Sequence, residues 1–199
     1  MSKAFCFDLD GTITSQEILP LLSKEVGLYE EFNALTAATI RGVIPFTNSF
    51  LLRCRLLNEI PISRVQTIVG HVGLNQEVVS FIAKNRQNSF VVTGNLDVWI
   101  APLISRLGCR FFTSVANANG DSLLNVKHVI NKGDVIKELR TKFSEIIAIG
   151  DGMGDVPMFE QADVRIAFGG VHNPIETLTQ LSDYVVFHER SLCRLLNTL

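Results

Sequence analysis

Asp8-Leu9-Asp10-Gly11-Thr12 ends a short apolar run, Ala4–Leu9. Residues i and i+2 of an extended chain point the same way, so both carboxylates can face one point at a strand end. Two carboxylates about 4 Å apart repel by about 4 kcal/mol at an effective dielectric near 20, and a cation or a shared proton must relieve that. A second acidic cluster, Gly150-Asp151-Gly152-Met153-Gly154-Asp155, follows Ile146-Ile147-Ala148-Ile149, a run apolar at every position, as a strand buried on both faces should be. A few carboxylates in a glycine-rich strand end suit Mg²⁺, which keeps several waters and takes substrate oxygens. A glycine-rich turn with one helix-capping aspartate would explain Asp151 or Asp155 singly, but not two such clusters behind two strands. Thr93-Gly94-Asn95 closes another run, Phe90–Thr93, and offers a hydroxyl, an approachable backbone N–H and an amide. Lys132 opens a helical segment between Asn131 and Gly133, against the preference for acidic residues in a first turn, so its placement asks for a reason.

The elements that must position these residues alternate. β-rich runs at Ala4–Leu9, Phe90–Thr93, Arg110–Phe112, Ile146–Ile149, Val164–Phe168 and Tyr184–Phe187 are separated by helix-period segments such as Gln76–Arg86, Val98–Leu107 and Lys132–Phe143. Strand alternating with helix predicts an α/β fold, a Rossmann-like parallel sheet sandwiched by helices. Residues 15–74 break the rhythm: no strand stands out, Pro45 and Pro61 sit where helices can begin, and Gly27 and Gly42 where they can stop. This predicts a helical cap, residues 15–74, inserted after the first strand of a catalytic core made of residues 1–14 and 75–199. A second interruption, Val115–Val126, carries the hairpin signal Asn119-Gly120-Asp121.

The composition excludes several function classes. The 199 residues are 47% hydrophobic and 19% charged with a net charge of −2, and no basic run offers a nucleic-acid surface. The N-terminus is too short and too acidic for a signal peptide, and no apolar stretch approaches the roughly 18 residues that cross a bilayer. Cys6, Cys54, Cys109 and Cys193 form no CxxC pair, so buried reduced thiols in a cytoplasmic protein are expected. His71, His128, His172 and His188 fit no metal spacing and receive no role, and the phenylalanines read as core.

In order, these motifs resemble those of the haloacid-dehalogenase-like phosphatases: DxDxT, a Ser/Thr, a Lys, and GDxxxD, matched from Asp8 to Asp155. The resemblance implies that Asp8 is the nucleophile and forms an aspartyl-phosphate, and that Asp10 is general acid and base with a raised pKa. It further implies Mg²⁺ held by Asp8, the Asp10 backbone carbonyl and Asp151. Thr93, the Gly94 N–H and Lys132 would bind phosphoryl oxygens, with Asp155 positioning Lys132 and metal-bound water. The charges agree: an anionic nucleophile meeting a phosphate dianion faces about 8 kcal/mol of repulsion on the same assumption, against which Mg²⁺ and Lys132 bring three positive charges.

The cap position, Glu17 and the Asn131-Lys132-Gly133 segment resemble the phosphoserine phosphatase branch, whose glutamate lies near the substrate amino group. Its cap carries Ser-Leu-Arg-x-Arg, the first arginine being expected to grip the substrate carboxylate. The comparable stretch here is Ser49-Phe50-Leu51-Leu52-Arg53-Cys54-Arg55, with Leu51 at that first arginine and Arg53 at the second. Asn95 replaces a family glycine and Gly154 a family asparagine. The expected substrate-binding set is Glu17, Arg53, Gly94 and Asn95, and the expected partner is a small phosphorylated metabolite, neither nucleic acid nor membrane. Phosphoserine leads; phosphothreonine, phosphohomoserine, sugar phosphates and nucleotides are alternatives. A phosphoacceptor signalling domain would need neither the cap nor a second acidic cluster so late in the chain, and the usual mark of a silent ligand-binding relative is loss of Asp8 or Asp10, both present here.

Overall fold

The computed structural model describes residues 2–199. The first strand, β1 (Lys3–Phe7), is followed by four helices, α1 (Ile18–Ser23), α2 (Tyr29–Ile40), α3 (Phe46–Leu57) and α4 (Ile62–Gly70). Then come α5 (Gln76–Lys84), β2 (Ser89–Leu96), α6 (Asp97–Leu107), β3 (Arg110–Asn119), β4 (Ser122–His128), α7 (Lys132–Arg140) and β5 (Glu145–Gly150). The chain closes with α8 (Val156–Phe159), β6 (Val164–Phe168), α9 (Glu176–Leu181), β7 (Tyr184–Val186) and α10 (Glu189–Leu196).

The sheet order is β4-β3-β2-β1-β5-β6-β7, parallel except for the β3–β4 hairpin. The hairpin turns at the predicted Asn119-Gly120-Asp121, but its strands reach Arg110–Asn119 and Ser122–His128, longer than the short run read at Arg110–Phe112. Their partly exposed, polar-rich sequence hides the strand period, and pairing along a sheet edge supplies the missing order.

Burial alternates as the period of two requires. Ala4 and Cys6 of β1 join Ile146 and Ala148 of β5 on one face, against Val135, Ile136 and Leu139 of α7. Phe5 and Phe7 join Ile147 and Ile149 on the other, against Phe81, Trp99 and Leu103. That second cluster runs on into the inserted helices through Ile18, Leu22, Phe50 and Val65. α3 and α4 start directly after Pro45 and Pro61, and a pre-set proline φ suits that position. The only strand-like pairing that residues 15–74 make is the single bridge from Leu74 to Thr14, just outside the segment.

Strands added after β1 run one way along the sheet and those from β5 onward run the other, so the order reverses between β1 and β5. In open α/β sheets ligands bind at the carboxyl ends of the strands beside such a reversal. The two acidic clusters follow β1 and β5.

Candidate active site

Asp8 extends β1 by one residue, and its N–H donates to the Ile149 carbonyl at 2.9 Å, which clamps the two strand ends together. Gly11 turns the chain back at φ +68, a left-handed conformation that glycine adopts without strain, and Asp151 lies against it. Lys132 is the first residue of α7, whose cap Asn131 accepts the Gly133 N–H at 2.9 Å. Its ammonium reaches Asp8 Oδ1 at 2.6 Å and Asp155 Oδ1 at 2.7 Å. Asp155 Oδ2 accepts the N–H groups of Asp151, at 2.9 Å, and Gly152, at 3.1 Å. Asp155 is thereby used up in orienting Lys132 and the Asp151 loop.

Asp10 is held at both oxygens. Oδ1 accepts the Ile18 N–H at 2.9 Å, and Oδ2 accepts the Asn95 amide. Thr93 Oγ1 accepts the Asn95 N–H at 3.2 Å inside β2, which runs on to Leu96 beyond the expected strand end at Thr93 and shifts its register against β3 between Val92 and Leu96. A Cβ on Gly94 would collide with the Phe46 ring of α3, so only glycine lets the inserted helices approach so closely here. These groups line one cavity of about 110 Å³, shared with Glu17, Thr36, Phe50, Arg53 and Met153.

The electrostatics follow from crowding acids in a dry place. Burial, then Asp155 and Asp10, push the Asp8 carboxyl well above its usual range against the pull of Lys132. Burial and Glu17 push Asp10 up to about 7, against the hydrogen bonds from Ile18 and Asn95. Asp151 is raised by burial, Asp155 and Asp8. Burial alone would lower Lys132, but its two carboxylates win and its pKa ends raised.

Carboxylate oxygens of Asp8, Asp151 and Asp155 lie within 4.8 Å of one another, and the buried Asp151 Oδ2 has no hydrogen-bond partner. An orphaned carboxylate oxygen among other hard oxygen donors fits a divalent cation such as Mg²⁺. The Lys132 ammonium cannot serve every acid at once.

All the expected residues border this one cavity. Glu17 precedes α1 in extended conformation, its side chain caps nothing, and it accepts from His172 Nε2 at 3.0 Å. Leu51, which stands where the branch's first arginine would fall, is 37% exposed, whereas Arg53 is 4% exposed and lines the cavity. Arg55, two residues on, is exposed. His172, given no role above, belongs beside the site; nothing in its sequence spacing could have shown that.

The haloacid dehalogenase-like hydrolase family matches residues 5–160. The chain belongs to this family. Phosphoserine phosphatase from Methanocaldococcus jannaschii is 25% identical over 179 residues, 83% of this chain and 85% of that one. The human phosphoserine phosphatase is 27% identical over 186 residues, 85% and 82% of the two chains. A substrate-bound phosphoserine phosphatase structure superposes with a TM-score of 0.85 at 21% identity, covering 98% of each chain. With this family and these relatives, the reaction class is that of a phosphatase. Among the described residues no helix is long and apolar enough to cross a membrane.

Proposed function

We propose that this chain hydrolyses O-phosphoserine, or a close amino-acid phosphomonoester, through an aspartyl-phosphate on Asp8. The reading is carried by Arg53: a guanidinium 4% exposed that makes no ion pair among the described residues. It donates only to Thr36 Oγ1 at 2.9 Å and the Ser49 carbonyl at 3.3 Å. A buried charge with no direct ion pair is costly, so a ligand carboxylate is the partner that its planar fork suits. Glu17 on the same cavity supplies a negative charge for an ammonium. A guanidinium, a carboxylate and a phosphoryl-binding cluster around about 110 Å³ match a zwitterion carrying one phosphate.

In this reading an Asp8 carboxylate oxygen forms a bond to phosphorus while the bond to the serine oxygen breaks. Asp10 gives its proton to that leaving oxygen, releasing serine. Asp10, now a carboxylate, takes a proton from water as the water oxygen attacks phosphorus; the bond to Asp8 breaks, and phosphate leaves. Thr93, the Gly94 N–H and Lys132 hold the phosphoryl oxygens throughout. Mg²⁺ on Asp8, the Asp10 carbonyl and Asp151 would neutralise charge on the nucleophile and the phosphoryl group. Asp155 holds Lys132 in place.

Residues 15–74 act as a cap over residues 1–14 and 75–199. The linkers support this: the Ser15 N–H donates to Gly73 O and the Asn75 N–H to Ile13 O, each at 2.9 Å, a two-stranded neck between the parts. The deciding experiment is phosphate release with Mg²⁺ from O-phospho-L-serine, a phosphomonoester panel and an aryl phosphate, with Asp8→Asn as control. A large kcat/KM preference for O-phospho-L-serine is expected. No preference over the aryl phosphate overturns the substrate, and turnover by Asp8→Asn overturns the nucleophile.

A further inference from the structure

Glu17 is a long side chain in a difficult position. It caps no helix backbone, and it feels the carboxylates of Asp10 and Asp151 as well as the Arg53 guanidinium. Among the described residues its only hydrogen-bond partner is His172 Nε2, at 3.0 Å and 155 positions away. A carboxylate can only accept, so Nε2 carries a proton and donates it. His172 lies in the loop after β6, and that loop is tied at both ends: the Gly169 N–H donates to Val186 O at 2.8 Å, and the Ile175 N–H to Asp151 O at 3.4 Å. The donor is thus fixed to the same scaffold as the acidic cluster, and Glu17 is held against it.

We propose that His172 is a specificity-determining positioning residue: by holding Glu17 Oε1, it presents the other carboxylate oxygen to an ammonium group of the substrate. The inference rests on the amino-acid phosphomonoester reading and extends it to a residue whose side-chain hydrogen bond is to Glu17, with its ring nitrogen within 4.8 Å of an Asp151 carboxylate oxygen. Its consequence is selection of an amine-bearing ester over the same skeleton with hydroxyl in place of the amine. Hydrogen bonding to Glu17 raises the His172 pKa over the opposing effect of burial, the sign expected of an imidazole held against a carboxylate.

The test compares kcat and KM for O-phospho-L-serine and 3-phosphoglycerate in wild type, Glu17→Gln, His172→Ala and the double variant. His172→Ala should lower the ratio of kcat/KM values about tenfold, the order of one positioning hydrogen bond to a charged group, and do so through KM for the amine. The double variant should fall no further than Glu17→Gln, since the two residues act as one unit. His172→Gln, whose amide reaches as far as Nε2, should restore the ratio to within about threefold of wild type, while the shorter His172→Asn should not. The Gln–Asn contrast decides the matter equally well if His172→Ala does not fold. A ratio that falls in Glu17→Gln but not in any His172 variant overturns the role of His172 and leaves the substrate reading standing. A wild type indifferent to the amine, or an inert Glu17→Gln, overturns both.

Discussion

Arg53→Met should weaken substrate binding while sparing or raising stability, a combination that few cavity residues would give. The Arg53 side chain is buried, donates to Thr36 Oγ1 and the Ser49 carbonyl, and forms no ion pair among the described residues. Burial lowers its pKa even though Glu17 and Asp10 pull the other way, the mark of a charge solvated worse than in water. Replacing poorly compensated buried charges by apolar side chains of similar size is neutral or stabilising by about 1–4 kcal/mol. The Thr36 hydroxyl loses a donor, which offsets about 1 kcal/mol. The net of zero to about 3 kcal/mol corresponds to a Tm gain of up to roughly 10 °C, at about 2–4 °C per kcal/mol for a chain of this size. Binding moves the other way. Two charge-assisted hydrogen bonds to a substrate carboxylate are worth about 1.5–3 kcal/mol each, so KM for O-phospho-L-serine should rise about a hundredfold or more. Thermal unfolding without ligand and steady-state phosphate release measure the two halves separately. A Tm loss beyond about 5 °C together with an unchanged KM would refute the reasoning, because Arg53 would then be a structural group satisfied within the protein.

Two further expectations come from the acids. With Asp10 raised to about 7, its proton is available below that pH and lost above it. Hydrolysis of alkyl phosphates should therefore fall as pH rises through about 7 while hydrolysis of an aryl phosphate, whose leaving group needs no proton, falls less; parallel profiles would contradict the acid role. The same raised pKa costs the folded state stability between the ordinary carboxylate pKa of about 3.9 and 7, so the metal-free protein should lose stability across that window and Asp10→Asn should flatten the slope. Mg²⁺ at about a hundred times its Kd should stabilise the wild type by about 2.7 kcal/mol. Thermal scans of Asp151→Asn should show most of that gain gone; an undiminished shift would place the ion elsewhere.

What was legible in the sequence was whatever depends on neighbours along the chain. Asp8, Asp10, Lys132, Asp151 and Asp155 each stand just past a strand or at the start of a helix whose apolar period is local, with Thr93 in the second half of β2, and parallel topology then brings such positions to one edge. The helices after β1, and the turn at Asn119-Gly120-Asp121, were readable for the same reason. Tertiary structure alone decided that Arg53 and not the Leu51 position faces the cavity, since the motif does not set the rotation of α3 against its neighbours. It also decided that Asn95 rests on Asp10, and that His172 meets Glu17 from 155 positions away. Local spacing sets which residues an element can offer; the packing of one element on another sets the few ångströms over which a hydrogen bond or an ion pair exists at all.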